Sequence, residues 1–168
     1  DLKLHDIPNT INNALEAISK LNPYFTTIHI SGGDQMQKIS HLNKKDIRVL
    51  GVSILTSLNK FQTTKYYNSD NINQLVTKFV SYAIQNKLDG IVCSPMEIEI
   101  VKKLKSRLMD NFDIVTPGIR PENYELKDDQ KRFMTPKQAI RLGANYLVIG
   151  RPITKSKDPF NEIISINS

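Results

Sequence analysis

Three charged side chains stand at the head of the sequence in the pattern Asp1-x-Lys3-x-x-Asp6. In a strand, side chains alternate, so Asp1 and Lys3 would share one face while Leu2 and Leu4 turn the other way, toward helices. Asp6 would follow at the strand end. An ammonium set between carboxylates is favoured in its charged form, and such a lysine can deliver a proton to a developing carbanion. A surface ion-pair ladder has the same spacing, and the motif alone leaves both readings open. Near the other end, Gly150 and Arg151 follow an apolar run. Glycine lets backbone N–H groups approach a phosphate, and arginine meets one with a two-pronged fork. Residues 118–134, with Gly118, Arg120, Pro121 and a polar middle, read as a lid that closes on ligand and excludes water.

Other reactive residue types are less informative. Ser94, Pro95, Met96 and Glu97 form a capping box, which explains Ser94 without a ligand, although a ligand contact is compatible with it. His5, His29 and His41 lack H-E-x-x-H or comparable spacing, so no metal site is expected. The single cysteine, Cys93, can form no internal disulfide or metal knuckle and lies in an apolar run, so it is expected to be a buried packing residue.

The elements that must position these groups belong to one domain spanning residues 1–168, with 39% hydrophobic and 24% charged residues and a mean hydropathy of -0.35. No apolar run of about 18 residues and no signal-peptide pattern is present, so neither a membrane partner nor secretion is expected, and the cytoplasm is the default compartment. The net charge of +6 is scattered. Its densest cluster, Lys102, Lys103, Lys105 and Arg107, alternates with Ile98, Val101, Leu104 and Leu108 at helical spacing. That is a solvated helix face, and a nucleic-acid partner is not expected. Seventeen lysines against six arginines, with 21 isoleucines and 15 asparagines, point instead to an AT-rich coding sequence.

Short apolar runs at 1–4, 25–30, 47–54, 90–93, 113–116 and 146–149 read as strands. Amphipathic helices lie between them, one marked by Ile11, Leu15, Ile18 and Leu21, another by Ile72, Leu75, Val76, Phe79 and Val80. Capping boxes at Ser94 and Thr135, and the pair Asp158 and Pro159, signpost helix starts. Strands apolar on both faces and each followed by a helix predict an α/β fold with a parallel sheet. A unit spacing of about 23 residues, stretched near 63–71 and 119–134 and without a G-x-G-x-x-G, favours a (β/α) barrel over a dinucleotide-binding sheet. Polar residues recur where the strands end: Lys3, Asp6, His29, Ser31, Thr56, Ser94, Thr116, Gly150 and Arg151. In a barrel those ends form the active face. Six strands are two short of a closed barrel, so the expectation is that the chain is the C-terminal three quarters of one, with about two βα units absent from its N-terminus.

The stretches 1–10 (DLKLHDIPNT), 29–33 (HISGG), 52–57 (VSILTS), 88–94 (LDGIVCS), 115–121 (VTPGIRP), 129–132 (DQKR) and 146–154 (YLVIGRPIT) occur in an order that closely resembles orotidine 5'-phosphate decarboxylase of the bacterial type. The resemblance implies a (β/α)8 TIM barrel of the ribulose-phosphate-binding type, active as a homodimer without metal or organic cofactor, that converts orotidine 5'-phosphate to UMP and carbon dioxide in pyrimidine biosynthesis. It implies that Lys3 protonates C6 and that Asp1 is set against the substrate carboxylate. Asp6, Ile7 and Thr10 would cross the dimer interface to complete the neighbouring site. Thr56 would contact ligand and Ser94 the pyrimidine ring. Arg120 and Gln130 would act from the lid, with Gln130 reaching over the phosphate that Gly150 and Arg151 hold. Two alternatives stand beside it: a Mg²⁺-dependent sugar-phosphate lyase of the same superfamily, which shares the D-x-K-x-x-D pattern, and an inactive fragment that only binds nucleotide.

Overall fold

The computed structural model describes residues 1–42, 46–105, 111–121 and 133–167. Within them the apolar runs become five parallel strands: β1 (Phe25–His29), β2 (Arg48–Val52), β3 (Gly90–Val92), β4 (Asp113–Thr116) and β5 (Tyr146–Leu147). Their order in the sheet is their order in the chain. Val49, Leu50, Ile91 and Ile114 are buried on both faces of the ladder, as they must be in a parallel sheet with helices on one face and strand side chains packed on the other. Glycine is required at position 90, because a Cβ there would lie 2.4 Å from the Asp113 carbonyl oxygen.

One helix precedes β1 and helices follow every strand: α1 (Pro8–Ser19), α2 (Asp34–Leu42), α3 (Lys60–Tyr67), α4 (Ile72–Gln85), α5 (Ile98–Lys105), α6 (Pro136–Leu142), α7 (Arg151–Thr154) and α8 (Pro159–Asn167). Both predicted capping boxes form. The Ser94 box opens a short 3₁₀ turn (Pro95–Glu97) that leads into α5, and the Thr135 box opens α6. Asp158 accepts the Asn161 backbone N–H at 3.1 Å at the start of α8. A third box, Asn59 with Gln62, starts α3 in the stretched unit. The apolar stripes of α1 and α4 face the sheet, with Leu15, Val76, Val80 and Ala83 fully covered. This is the layout of part of a (β/α)8 barrel. Among the described residues no helix is long and apolar enough to cross a membrane.

Two expectations fail. Residues 1–4 are not a strand. Leu4 makes a single parallel bridge to Ile28, and Lys3 has φ +49°, a left-handed conformation that regular strand pairing does not admit. Leu21 does not join the α1 stripe, because the helix ends at Ser19 and leaves Leu21 81% exposed. Leu108 and Arg107 of the α5 pattern lie outside the described residues.

Candidate active site

Parallel strands bring all their C-terminal ends to one end of the sheet, and Leu4, bridged in parallel to β1, brings residues 1–6 to the same end. Asp1 and Lys3 meet there, but not by strand alternation. The Lys3 ammonium pairs with Asp1 Oδ2, and the Thr27 hydroxyl donates to Asp1 Oδ1 at 2.6 Å while accepting the Lys3 backbone N–H at 2.9 Å. The Lys3 and Asp1 side chains remain 40% and 53% exposed, so the pair faces open space rather than the core.

His29 closes β1 two residues after Thr27 and on the same side of the strand. Its ring lies 5.3 Å from that of His5. Burial, then the neighbouring His5 and Lys3, push the His29 imidazole below its ordinary range. Asp6 turns its carboxylate to the Ile7 N–H at 2.7 Å. Ile7, two-thirds exposed, and Thr10, also exposed, extend from there into the first turn of α1.

Thr56 is half-buried in the loop after β2. Ser94 is fully buried after β3, with its oxygen accepting the Met96 N–H at 3.4 Å and its own N–H held by Glu97 at 3.0 Å. Cys93 beside it is buried, and its thiol is pushed well up by desolvation and then by Glu97, which makes it a packing residue rather than a nucleophile. After β4, the Arg120 N–H reaches the Met134 carbonyl at 3.0 Å and the Met134 N–H reaches Gly118 at 3.2 Å. That pairing ties together the two ends of the segment expected to form the lid. Arg120 itself is buried, with Nη1 on the Ile119 carbonyl at 2.8 Å. Gln130 and the rest of 122–132 lie outside the described residues.

Gly150 and Arg151 stand at the opposite end of the strand order from Lys3, where Gly150 precedes α7 and Arg151 opens it. A Cβ on Gly150 would meet nothing within 4 Å, so the backbone there is open to an approaching group. The site therefore has a charged end beside β1, a tethered segment after β4 and an open arginine-bearing turn after β5. Thr27 is the member that sequence reasoning missed. Its only local signal is its place two residues before His29.

The family model for the orotidine 5'-phosphate decarboxylase / HUMPS family matches residues 1–166. The chain is 44% identical over 164 residues to a Staphylococcus saprophyticus protein named orotidine 5'-phosphate decarboxylase, covering 95% of this chain and 70% of that protein. It is 40% identical over 173 residues to the protein of the same name from Actinobacillus pleuropneumoniae serotype 5b, covering 100% of this chain and 74% of the relative. Among solved structures, the orotidine 5'-phosphate decarboxylase of Lactobacillus acidophilus superposes with a TM-score of 0.79 at 34% identity, over 98% of this chain and 71% of that one. The family model and these relatives match over nearly the whole length, and the chain belongs to the orotidine 5'-phosphate decarboxylase / HUMPS family.

Proposed function

We infer that this chain carries out the decarboxylation of orotidine 5'-phosphate to UMP in pyrimidine biosynthesis. The observation that carries the reading is the Asp1 and Lys3 pair, fixed by Thr27 at the C-terminal end of a parallel sheet whose relatives bear that enzyme's name. In the proposed reaction the bond from C6 to the carboxylate breaks, carbon dioxide leaves, and the electron pair stays on C6. The Lys3 ammonium stabilises that charge and then gives C6 its proton, and solvent reprotonates the amine. A preoriented cation beside the developing charge is the main source of rate, because it needs no rearrangement as the charge appears.

The remaining roles belong to the same proposal. Asp1 holds the ammonium and faces the substrate carboxylate. Ser94, whose oxygen already accepts one N–H, offers its O–H to the pyrimidine. Thr56 contacts ligand, Arg120 and Gln130 act from the lid segment, and Gly150 with Arg151 hold the phosphate. Asp6, Ile7 and Thr10 complete the site of a second copy in a homodimer, a reading supported by the exposure of the large apolar Ile7 beside Asp6. No metal or organic cofactor takes part, and the enzyme works in the cytoplasm. The Mg²⁺-dependent lyase is not favoured, because the relatives described above carry the decarboxylase name.

The test uses the whole polypeptide that carries these residues. Orotidine 5'-phosphate should release carbon dioxide at a rate that EDTA leaves unchanged. Lys3→Ala should lose a factor on the order of 10² or more in kcat while still binding UMP. Retention of a tenth of the parent kcat would remove Lys3 from the chemistry, and loss of activity in EDTA with recovery in Mg²⁺ would return the lyase reading.

A further inference from the structure

We propose that Thr27 is a positioning residue of this site, whose hydroxyl locks the Asp1 carboxylate and the Lys3 backbone together so that the Lys3 ammonium is aimed at one place. The inference rests on the reading that Lys3 protonates C6. A threonine hydroxyl has one proton to give and lone pairs to accept. Thr27 uses both: it donates to Asp1 Oδ1 at 2.6 Å and accepts the Lys3 N–H at 2.9 Å, while its carbonyl takes the Leu4 N–H at 2.9 Å. Asp1 Oδ2 in turn holds the Lys3 ammonium. The result is a closed circuit from the Lys3 backbone through Thr27 and Asp1 to the Lys3 side chain.

The circuit matters because Lys3 is not held by regular strand pairing. Its backbone is left-handed, a conformation that a residue with a Cβ keeps only when its surroundings impose it. Thr27 is the surrounding group that does so. It is buried in the centre of β1, its β-branched side chain restricts χ1, and its neighbours across the ladder fix its height, with Leu50 of β2 opposite. The side chain therefore transfers the rigidity of the sheet to two groups that are themselves largely in solvent. Without the hydroxyl, the lysine and the carboxylate can still pair and Leu4 stays bonded to β1, but the tie that sets where the pair points is gone. Displacement of a reacting group by about 1 Å costs up to about 10²-fold in rate.

The experiment compares Thr27→Val, which keeps the shape and removes the hydroxyl, with Thr27→Ser, which keeps the hydroxyl. In the whole polypeptide, Thr27→Val should lower kcat by roughly 10- to 100-fold, with KM and the Kd for UMP within about twofold of the parent. Thr27→Ser should stay within about threefold of the parent kcat, because both hydrogen bonds remain available. A Thr27→Val enzyme with parent kcat overturns the proposal. So does a loss that falls on UMP affinity as much as on kcat, or a Thr27→Ser enzyme as slow as Thr27→Val. Should Thr27→Val not fold, Thr27→Cys takes its place and must be slower than Thr27→Ser by the same factor; equal rates overturn the proposal. Lys3→Ala is measured alongside. If Lys3→Ala is inactive and Thr27→Val is not impaired, only the positioning role fails, whereas an active Lys3→Ala removes the functional reading beneath it.

Discussion

Arg48 offers a perturbation that should separate the stability of the sheet from its chemistry. It opens β2, at the end of the sheet away from the charged pair. Its Nη2 donates to the carbonyls of Asp89 and Asn111, each at 3.1 Å, and pairs with Asp113 Oδ2 at 2.8 Å, so one guanidinium ties β2 to the chain entering β3 and β4. Two hydrogens on Nη2 serve three acceptors, so the sum is less than three full bonds. Arg48→Met retains most of the aliphatic stem and deletes only the head. Bonds to a charged group are each worth about 1.5–3 kcal/mol when lost, but the Arg48 side chain is 27% exposed and water can replace part of them. Asp113, only 16% exposed, then loses its cation, which adds to the cost. The net destabilisation should be about 2–3 kcal/mol, which for a chain of this size lowers Tm by about 4–12 °C. Thermal and urea unfolding measure the first quantity, and kcat at 25 °C with folded protein checks the second, which should stay within about twofold because the N-terminal face of a barrel serves stability. A Tm change under about 2 °C, or activity falling while the protein remains folded, would refute the reasoning.

Three further outcomes are expected. Arg151→Ala should raise KM for orotidine 5'-phosphate strongly, and orotidine without its phosphate should react nearly equally with variant and parent; a large effect on that truncated substrate would show a different role for Arg151. Because the fold pushes the His29 imidazole below 6.5, the unfolded chain takes up a proton that the folded chain resists as pH falls through that value. Stability should therefore drop from pH 7.5 toward pH 5, and His29→Gln should flatten this dependence in urea midpoints; identical slopes in variant and parent would contradict it. Mixing inactive Lys3→Ala and Asp6→Ala subunits should restore about a quarter of parent activity, since half the exchanged dimers are mixed and each has one complete site. No recovery after exchange verified by mass would place Asp6 in its own subunit.

Local signals carried most of the fold. Ser94 with Glu97 and Thr135 with Gln138 declare helix starts through spacing alone, and both caps form as written. The apolar runs at β2 to β4 are readable because a strand covered on both faces has little polar side chain to confuse the pattern, whereas the run at 146–149 yields only the two residues of β5, with Tyr146 exposed. The conformation of segment 1–4 is not legible in the sequence, for the opposite reason. Its alternation is strand-like, but its conformation is decided by Thr27, 24 and 26 residues away along the chain, which captures the Lys3 N–H and the Asp1 carboxylate. No short window contains that contact. The nearness of Asp1 and Lys3 is legible in their spacing, but Thr27, which holds them together, is not. The pairing of His5 with His29 is hidden in the same way, since neither spacing nor composition brings the two rings together.

The identity between strand order in the chain and strand order in the sheet bears on how the molecule is made. Each strand finds its partner in the unit just synthesised or the one about to follow, so β2 can dock on β1 before β3 has left the ribosome, and every later unit adds to an existing template. Contacts between sequential units keep loop-closure costs modest for a parallel sheet. Beside the outer edge of β1, which meets only the Leu4 bridge, the same route leaves a second open edge that moves along the chain toward β5 as each unit is added. The nascent protein therefore presents a travelling sticky margin, and pauses in translation after β2 or β3 are the moments at which a chaperone has most to cover.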